Sequence, residues 1–148
     1  MSGFKRFEEI EAWKLGRELN QQIYTLSTGG AFGRDFALRD QIRRASISVS
    51  SNIAEGYARR SPRDFARFLV IARASAAEVV SQLYLALDLG YLTEEQFDAV
   101  ATLLQSVTKT TGGLLSYLRS SRNHVREPEP TYDINPELGT ENPEPTTE

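Results

Sequence analysis

A chain of 148 residues with 40% hydrophobic and 25% charged side chains carries enough apolar material for one buried core, which excludes a disordered protein as a whole. It holds no cysteine, which excludes disulfides, a thiolate zinc site and a cysteine nucleophile, and a reducing compartment, the cytoplasm, is the expected location. The net charge of −3 conceals a division: all 17 Lys and Arg fall in residues 1–126 beside 13 acids, while residues 127–148 carry seven acids and no base.

Residues 1–20 contain Lys5, Arg6, Glu8, Glu9, Glu11 and Lys14 and no apolar run of signal-peptide length. No later stretch reads as a membrane span, so no membrane partner is expected. The first predicted helix, about 8–27, sets Ala12, Leu15, Leu19, Ile23 and Leu26 on one face and ends at Gly29-Gly30. The second, about 35–58, aligns Leu38, Ile42, Ala45, Val49, Ile53 and Gly56 in the same way. Ser61-Pro62 then supplies an N-cap and a first-turn proline for the third, about 62–89, whose stripe is Phe65, Leu69, Ala72, Ala76, Val79, Leu83 and Leu87, with Gly90 as its stop. Thr93-Glu94-Glu95-Gln96 is a capping box opening the fourth, about 93–122, through Phe97, Ala101, Leu104, Thr108, Thr111 and Leu115. Long helices joined by short connections make sequential neighbours antiparallel. The expected fold is therefore all-α, an antiparallel up-down-up-down four-helix bundle over residues 1–126. Residues 127–148, acidic and rich in proline, are expected to be disordered.

The third predicted helix has a second apolar side. Opposite its core stripe lie Val70, Ile71, Ala74, Ala77, Ser81, Leu85 and Leu89, and the second helix adds Ile47, Ser51 and Ala54 behind its own stripe. Such a face on a lone chain is an aggregation hazard, so burial in a homo-oligomer is expected; an irregular bundle in which another helix wraps further round is the alternative. A helical hairpin turning near residue 60 sets Glu78 level with Arg43 and Arg44, and an ion pair with one of them, in the chain or with a neighbouring subunit, is expected. Asn52 and Ser75, at the edges of the stripes, read as hydrogen-bonded groups that fix register, with Glu55 beside them in the same polar set.

Nothing in the chain assembles into chemistry. His124 is the only histidine and falls at the frayed end of the fourth helix, so no metal site and no Ser-His-Asp arrangement is expected. The glycine pairs 29-30 and 112-113 match no phosphate loop, and Glu94-Glu95 suit the positive end of their helix. No catalytic residue, cofactor or metal is expected, and the protein is read as a non-enzyme. Charge placement is the positive clue. In the expected topology one pole collects Lys5, Arg6, Arg59, Arg60, Arg63, Arg67, Arg119, Arg122 and Arg126 against Glu8, Glu9, Glu11, Glu55 and Asp64, a net charge of +4, and the opposite pole is net −4. Clustered arginine is the electrostatic footprint of phosphate-backbone binding, although a solvated helix end carries the same charges.

The run Gln41-Ile42-Arg43-Arg44-Ala45, followed by Asn52-Ile53-Ala54-Glu55-Gly56, Asp64-Phe65-Ala66-Arg67-Phe68-Leu69, Ala72-Arg73, Ser75 and Glu78, resembles the four-helix-bundle family of 23S rRNA intervening-sequence proteins. Phe7, Trp13 and Leu89-Gly90-Tyr91-Leu92 fit as well, and residues 4 to 120 share the pattern. The resemblance implies a cytosolic homopentamer of four-helix subunits. The family is in turn similar to the accessory variability determinant proteins of diversity-generating retroelements, whose basic pentamers bind nucleic acid and a reverse transcriptase. Ala74 stands where the family usually has glycine, and the acidic tail lies outside the shared region. Two functions stay open: an oligomer binding RNA or DNA through its basic pole, and a scaffold whose apolar face and tail recruit a protein partner.

Overall fold

A computed structural model describes residues 3–125, the last five by their backbone. Arg126, the segment 127–148 and the side chains of Arg122 and His124 lie outside the described part. The described residues are all helix and connection, with no strand. A single 3-10 turn, Phe7–Glu9, leads into α1 (Glu11–Leu26); α2 (Gly30–Arg34), α3 (Phe36–Ala58), α4 (Pro62–Asp88) and α5 (Glu94–Val125) follow.

The local signals explain where these helices start and stop. The Asp35 carboxylate caps α3 by accepting from the Leu38 N–H at 3.1 Å, and Ser61 Oγ caps α4 by accepting from Asp64 at 3.3 Å, with Pro62 in the first turn. Before α5, Thr93 Oγ1 accepts from the Gln96 N–H at 3.1 Å while Gln96 Oε1 accepts from the Thr93 N–H at 3.0 Å, the reciprocal box that the sequence predicts. Gly90, at φ +75°, closes α4 in the left-handed region, and the Tyr91 N–H reaches back to the Ala86 carbonyl at 2.9 Å.

Four predicted helices become five because Gly29-Gly30 does more than stop α1. Both residues take positive φ, +73° and +61°, which turns the chain into the extra single-turn helix α2. That helix is anchored by Phe32, which is buried and stacks on Tyr91 with ring centroids 5.5 Å apart.

The long helices form a helical bundle in which α1 touches α3 and α5, and α4 touches α3 and α5. The α1–α3, α3–α4 and α4–α5 contacts are antiparallel. Between α3 and α4, Ser48 meets Ser75 and Gly56 meets Phe68; between α1 and α3, Asn20 meets Ser46 and Ser27 meets Arg43; between α4 and α5, Tyr84 meets Phe97 and Arg73 lies beside Gly112. The core holds Leu19, Ile23, Ile42, Val49, Ile53, Phe65, Leu69, Val79, Leu83, Leu104 and Leu118. The stripe of α5 runs through Val100, Leu103, Leu104, Val107 and Thr111, leaving the expected Ala101 and Thr108 at its half-buried edge. α4 is long and apolar enough to cross a membrane by length and composition, which corrects the expectation that no stretch reaches that standard. Its apolarity has a local cause, since Phe65, Leu69, Ala72, Ala76, Val79 and Leu83 line the bundle core.

Candidate nucleic-acid interface

The turn between α3 and α4 organises the basic pole. Arg60 closes that turn at φ +56°, a left-handed conformation that costs a non-glycine residue roughly 1 kcal/mol or more and points to a tightly determined loop. The Tyr57 hydroxyl donates to the Phe4 carbonyl and so pins the amino-terminal segment, with Lys5 and Arg6, against the end of α3. Because Tyr84 packs on Phe97 and Arg73 lies beside Gly112, the antiparallel register of α4 and α5 sets Arg119 level with the first turns of α4. Lys5, Arg6, Arg59, Arg60, Arg63, Arg67 and Arg119 therefore gather at one end of the bundle.

Acids at the same end temper this charge. Arg6 pairs with Glu8 at 3.5 Å, Arg59 with Glu55 at 3.2 Å, and Arg67 with Asp64 at 3.7 Å. Such solvent-exposed pairs are worth only about 0–1 kcal/mol, so a phosphate competes with the carboxylates on nearly equal terms. Arg59 and Arg67 also lie over the Phe68 ring, at 5.0 and 5.5 Å from its centroid; Arg59 is exposed, whereas Arg67 is half-buried with its Nε enclosed. Arg60 and Arg119 are exposed and make no ion pair among the described residues, and Arg63 is half-buried.

The polar set divides. Asn52 donates to the Ser48 carbonyl at 2.7 Å and to Ser48 Oγ at 2.9 Å, and Ser48 Oγ in turn bonds Ser75 Oγ at 2.8 Å. Asn52 and Ser75 thus join α3 to α4 through a serine that the sequence reading left out. A second seam was missed altogether: Asn20 donates to Ser50 Oγ at 3.0 Å and accepts from Ser46 Oγ at 2.7 Å, beside Gly16, where an added Cβ would stand 3.2 Å from that of Ser50. The signal was present as Ser46/Ser50 and Ser48/Asn52, two i,i+4 pairs on opposite flanks of one helix.

The expected pairing of Glu78 with Arg43 or Arg44 does not form in the chain. The Arg43 guanidinium instead caps the end of α1, donating to Ser27 Oγ at 2.8 Å, to the Ser27 carbonyl at 3.2 Å and to Thr28 Oγ1 at 3.2 Å while lying over the Tyr24 ring. Free carbonyls at a helix carboxyl end attract a cation, which explains the choice. Glu78 and Arg44 are both exposed and have no ion-pair partner among the described residues. Glu55 serves Arg59 on its own helix rather than Asn52.

Of the residues placed at a subunit interface, Ile47, Val70, Ala74, Ala77, Ser81 and Leu85 are exposed in the chain, and Ala54 and Ile71 are half-buried. The large ones show 40 to 47% of their surface, and Leu89 shows 50%. At the far pole Tyr91 donates to Asp35 Oδ2 at 2.9 Å, and its pKa is raised by that hydrogen bond first, then by burial and by the Asp35 charge. No cluster of three or more metal-ligating side chains occurs among the described residues.

The family model described as "23S rRNA-intervening sequence protein" matches residues 8–113. Among solved structures, the chain is similar to a protein of unknown function from the S23 ribosomal protein family of Bacteroides thetaiotaomicron. The two share 24% identity and a TM-score of 0.65, over 70% of this chain and 97% of that one. No curated protein matches.

Proposed function

The chain belongs to the 23S rRNA-intervening sequence protein family, and we propose that it is a non-enzymatic, cytoplasmic homo-oligomer, a ring of up-down-up-down four-helix subunits, that binds RNA or DNA phosphates through its basic pole. The supporting observation is the gathering of Lys5, Arg6, Arg59, Arg60, Arg63, Arg67 and Arg119 at one end of a bundle, with Arg60 and Arg119 in no ion pair among the described residues. Assembly as a ring multiplies the charge of each copy on one side, which is the condition for steering and holding a polyanion. The pentameric number and the kinship with retroelement accessory proteins belong to the same proposal, with the sequence resemblance as their support.

The test is a salt titration of binding to labelled duplex DNA and to RNA, for the full chain and for the variant Arg60→Glu/Arg119→Glu. The wild type is expected to lose affinity steeply, with a log-log slope of about −0.9 for each duplex phosphate neutralised, and the variant to bind more weakly with a flatter slope. Equal affinity and slope for the two proteins, or no binding at low salt even after removal of residues 127–148, contradicts the proposal. The exposed outer face of α4 favours the second reading, a scaffold that recruits a different protein without nucleic acid. A nuclease-resistant partner together with absent nucleic-acid binding supports that alternative.

A further inference from the structure

We infer that Glu78 and Arg44 form an ion pair between neighbouring copies of this chain, across the seam that covers the outer face of α3 and α4; the inference rests on the self-assembly proposed above. Between Phe68 and Leu87, α4 carries only two charged residues, Arg73 and Glu78. Arg73 occupies the flank facing α5, with its guanidinium carbon 3.8 Å from where a Cβ on Gly112 would stand. Glu78 occupies the other flank, 140° round the helix at 100° per residue, beside the exposed Ala74, Ala77, Ser81 and Leu85. A carboxylate set in such a face keeps its solvation only while the face stays open to water.

Arg44 supplies the matching charge. The 2.8 Å bond between Ser48 and Ser75 fixes the register of the antiparallel pair α3 and α4. Three residues past Ser75 and four before Ser48, Glu78 and Arg44 fall at nearly the same height along the bundle. Both are exposed, neither has an ion-pair partner among the described residues, and Ile47, one turn on from Arg44, leaves 40% of its surface uncovered. One face therefore bears an unpaired acid and an unpaired base at one level among apolar and small side chains. A face of this kind complements itself and calls for no foreign surface. Rotation about an axis parallel to the bundle preserves height, so Glu78 of one copy arrives level with Arg44 of the next. Burying the seam then satisfies both charges at once, whereas either charge buried alone would oppose assembly. The pair also selects one register among the sliding contacts that a small-residue stripe permits.

Charge exchange with mixing tests the inference on the full chain. Glu78→Arg and Arg44→Glu are each expected to weaken self-association about tenfold or more in sedimentation velocity, with helical content by circular dichroism unchanged. Mixing the two single variants restores much of the assembly, because every mixed seam joins opposite charges, although a ring of five keeps at least one seam between like variants. A pair within one chain predicts the contrary: each variant keeps its like-charged pair after mixing, and only the double variant recovers. Undiminished assembly of both singles, or recovery by the double variant but not by mixing, overturns the inference while leaving self-assembly intact. A wild type that stays a single chain overturns the assembly reading itself. Should Glu78→Arg fail to fold, Glu78→Gln and Arg44→Gln each give a smaller loss, and mixing them restores only the seams that set Glu78 of one variant against Arg44 of the other.

Discussion

Single side chains in this protein separate satisfied from unsatisfied burial. Thr111 is fully buried on α5, and its hydroxyl has no hydrogen-bond partner among the described residues. A buried hydroxyl without a partner costs about 1–3 kcal/mol, so Thr111→Val, which keeps the branched shape, is expected to raise the thermal midpoint by an amount worth about 1 kcal/mol. An unchanged or lowered midpoint would mean that the hydroxyl is satisfied. Tyr91 gives a pH signature. Its hydrogen bond to Asp35 favours the neutral phenol in the folded state, so the folded pKa lies above the unfolded value of about 10. The stabilisation is complete below pH 10 and is lost as pH rises through the folded pKa. Urea unfolding between pH 8 and 11.5 should show that alkaline decline in the wild type and a smaller one in Tyr91→Phe.

Whole elements were legible in the sequence wherever a local signal fixed them. Ser61-Pro62 and Thr93 to Gln96 located the starts of α4 and α5 because capping needs only neighbours in the chain. Gly29-Gly30 was read as an end, and α2 was lost, because its stability comes from Phe32 meeting Tyr91, a residue 59 positions later. Arg43 was misassigned for the same reason: hairpin height is one-dimensional, whereas the side of α3 from which Arg43 emerges decides whether it meets α1 or α4. The close approach of α3 and α4 at Gly56 lay hidden in the expected stripe, where glycine reads as a small apolar residue. A Cβ there would fall 2.6 Å from Phe68 Cβ and 3.1 Å from Phe65 Cδ1. Gly56→Ala should therefore push the helices apart at the basic pole and cost about 1–3 kcal/mol, measurable as a lower urea midpoint at constant m-value. If alanine is tolerated without loss, the helices do not approach that closely.

At the scale of the molecule, two asymmetries govern the account. One runs along the bundle, basic at the α3-α4 turn and acidic at the opposite end. The other runs across it, because α4 buries one side in its own chain and presents Val70, Ala74, Ala77, Ser81 and Leu85 on the other. The first was readable from charge once the helix order was assigned. The second was readable from the period of α4, whereas the surface that meets it in the proposed assembly lies outside a single chain. The across-bundle asymmetry is the more fundamental, since a ring is what would turn a modest basic pole into a strong one. Sedimentation velocity of the full chain at micromolar concentration addresses it directly. A species several times the 16.6 kDa chain mass is the predicted result, and a 16.6 kDa species at every concentration would contradict the account.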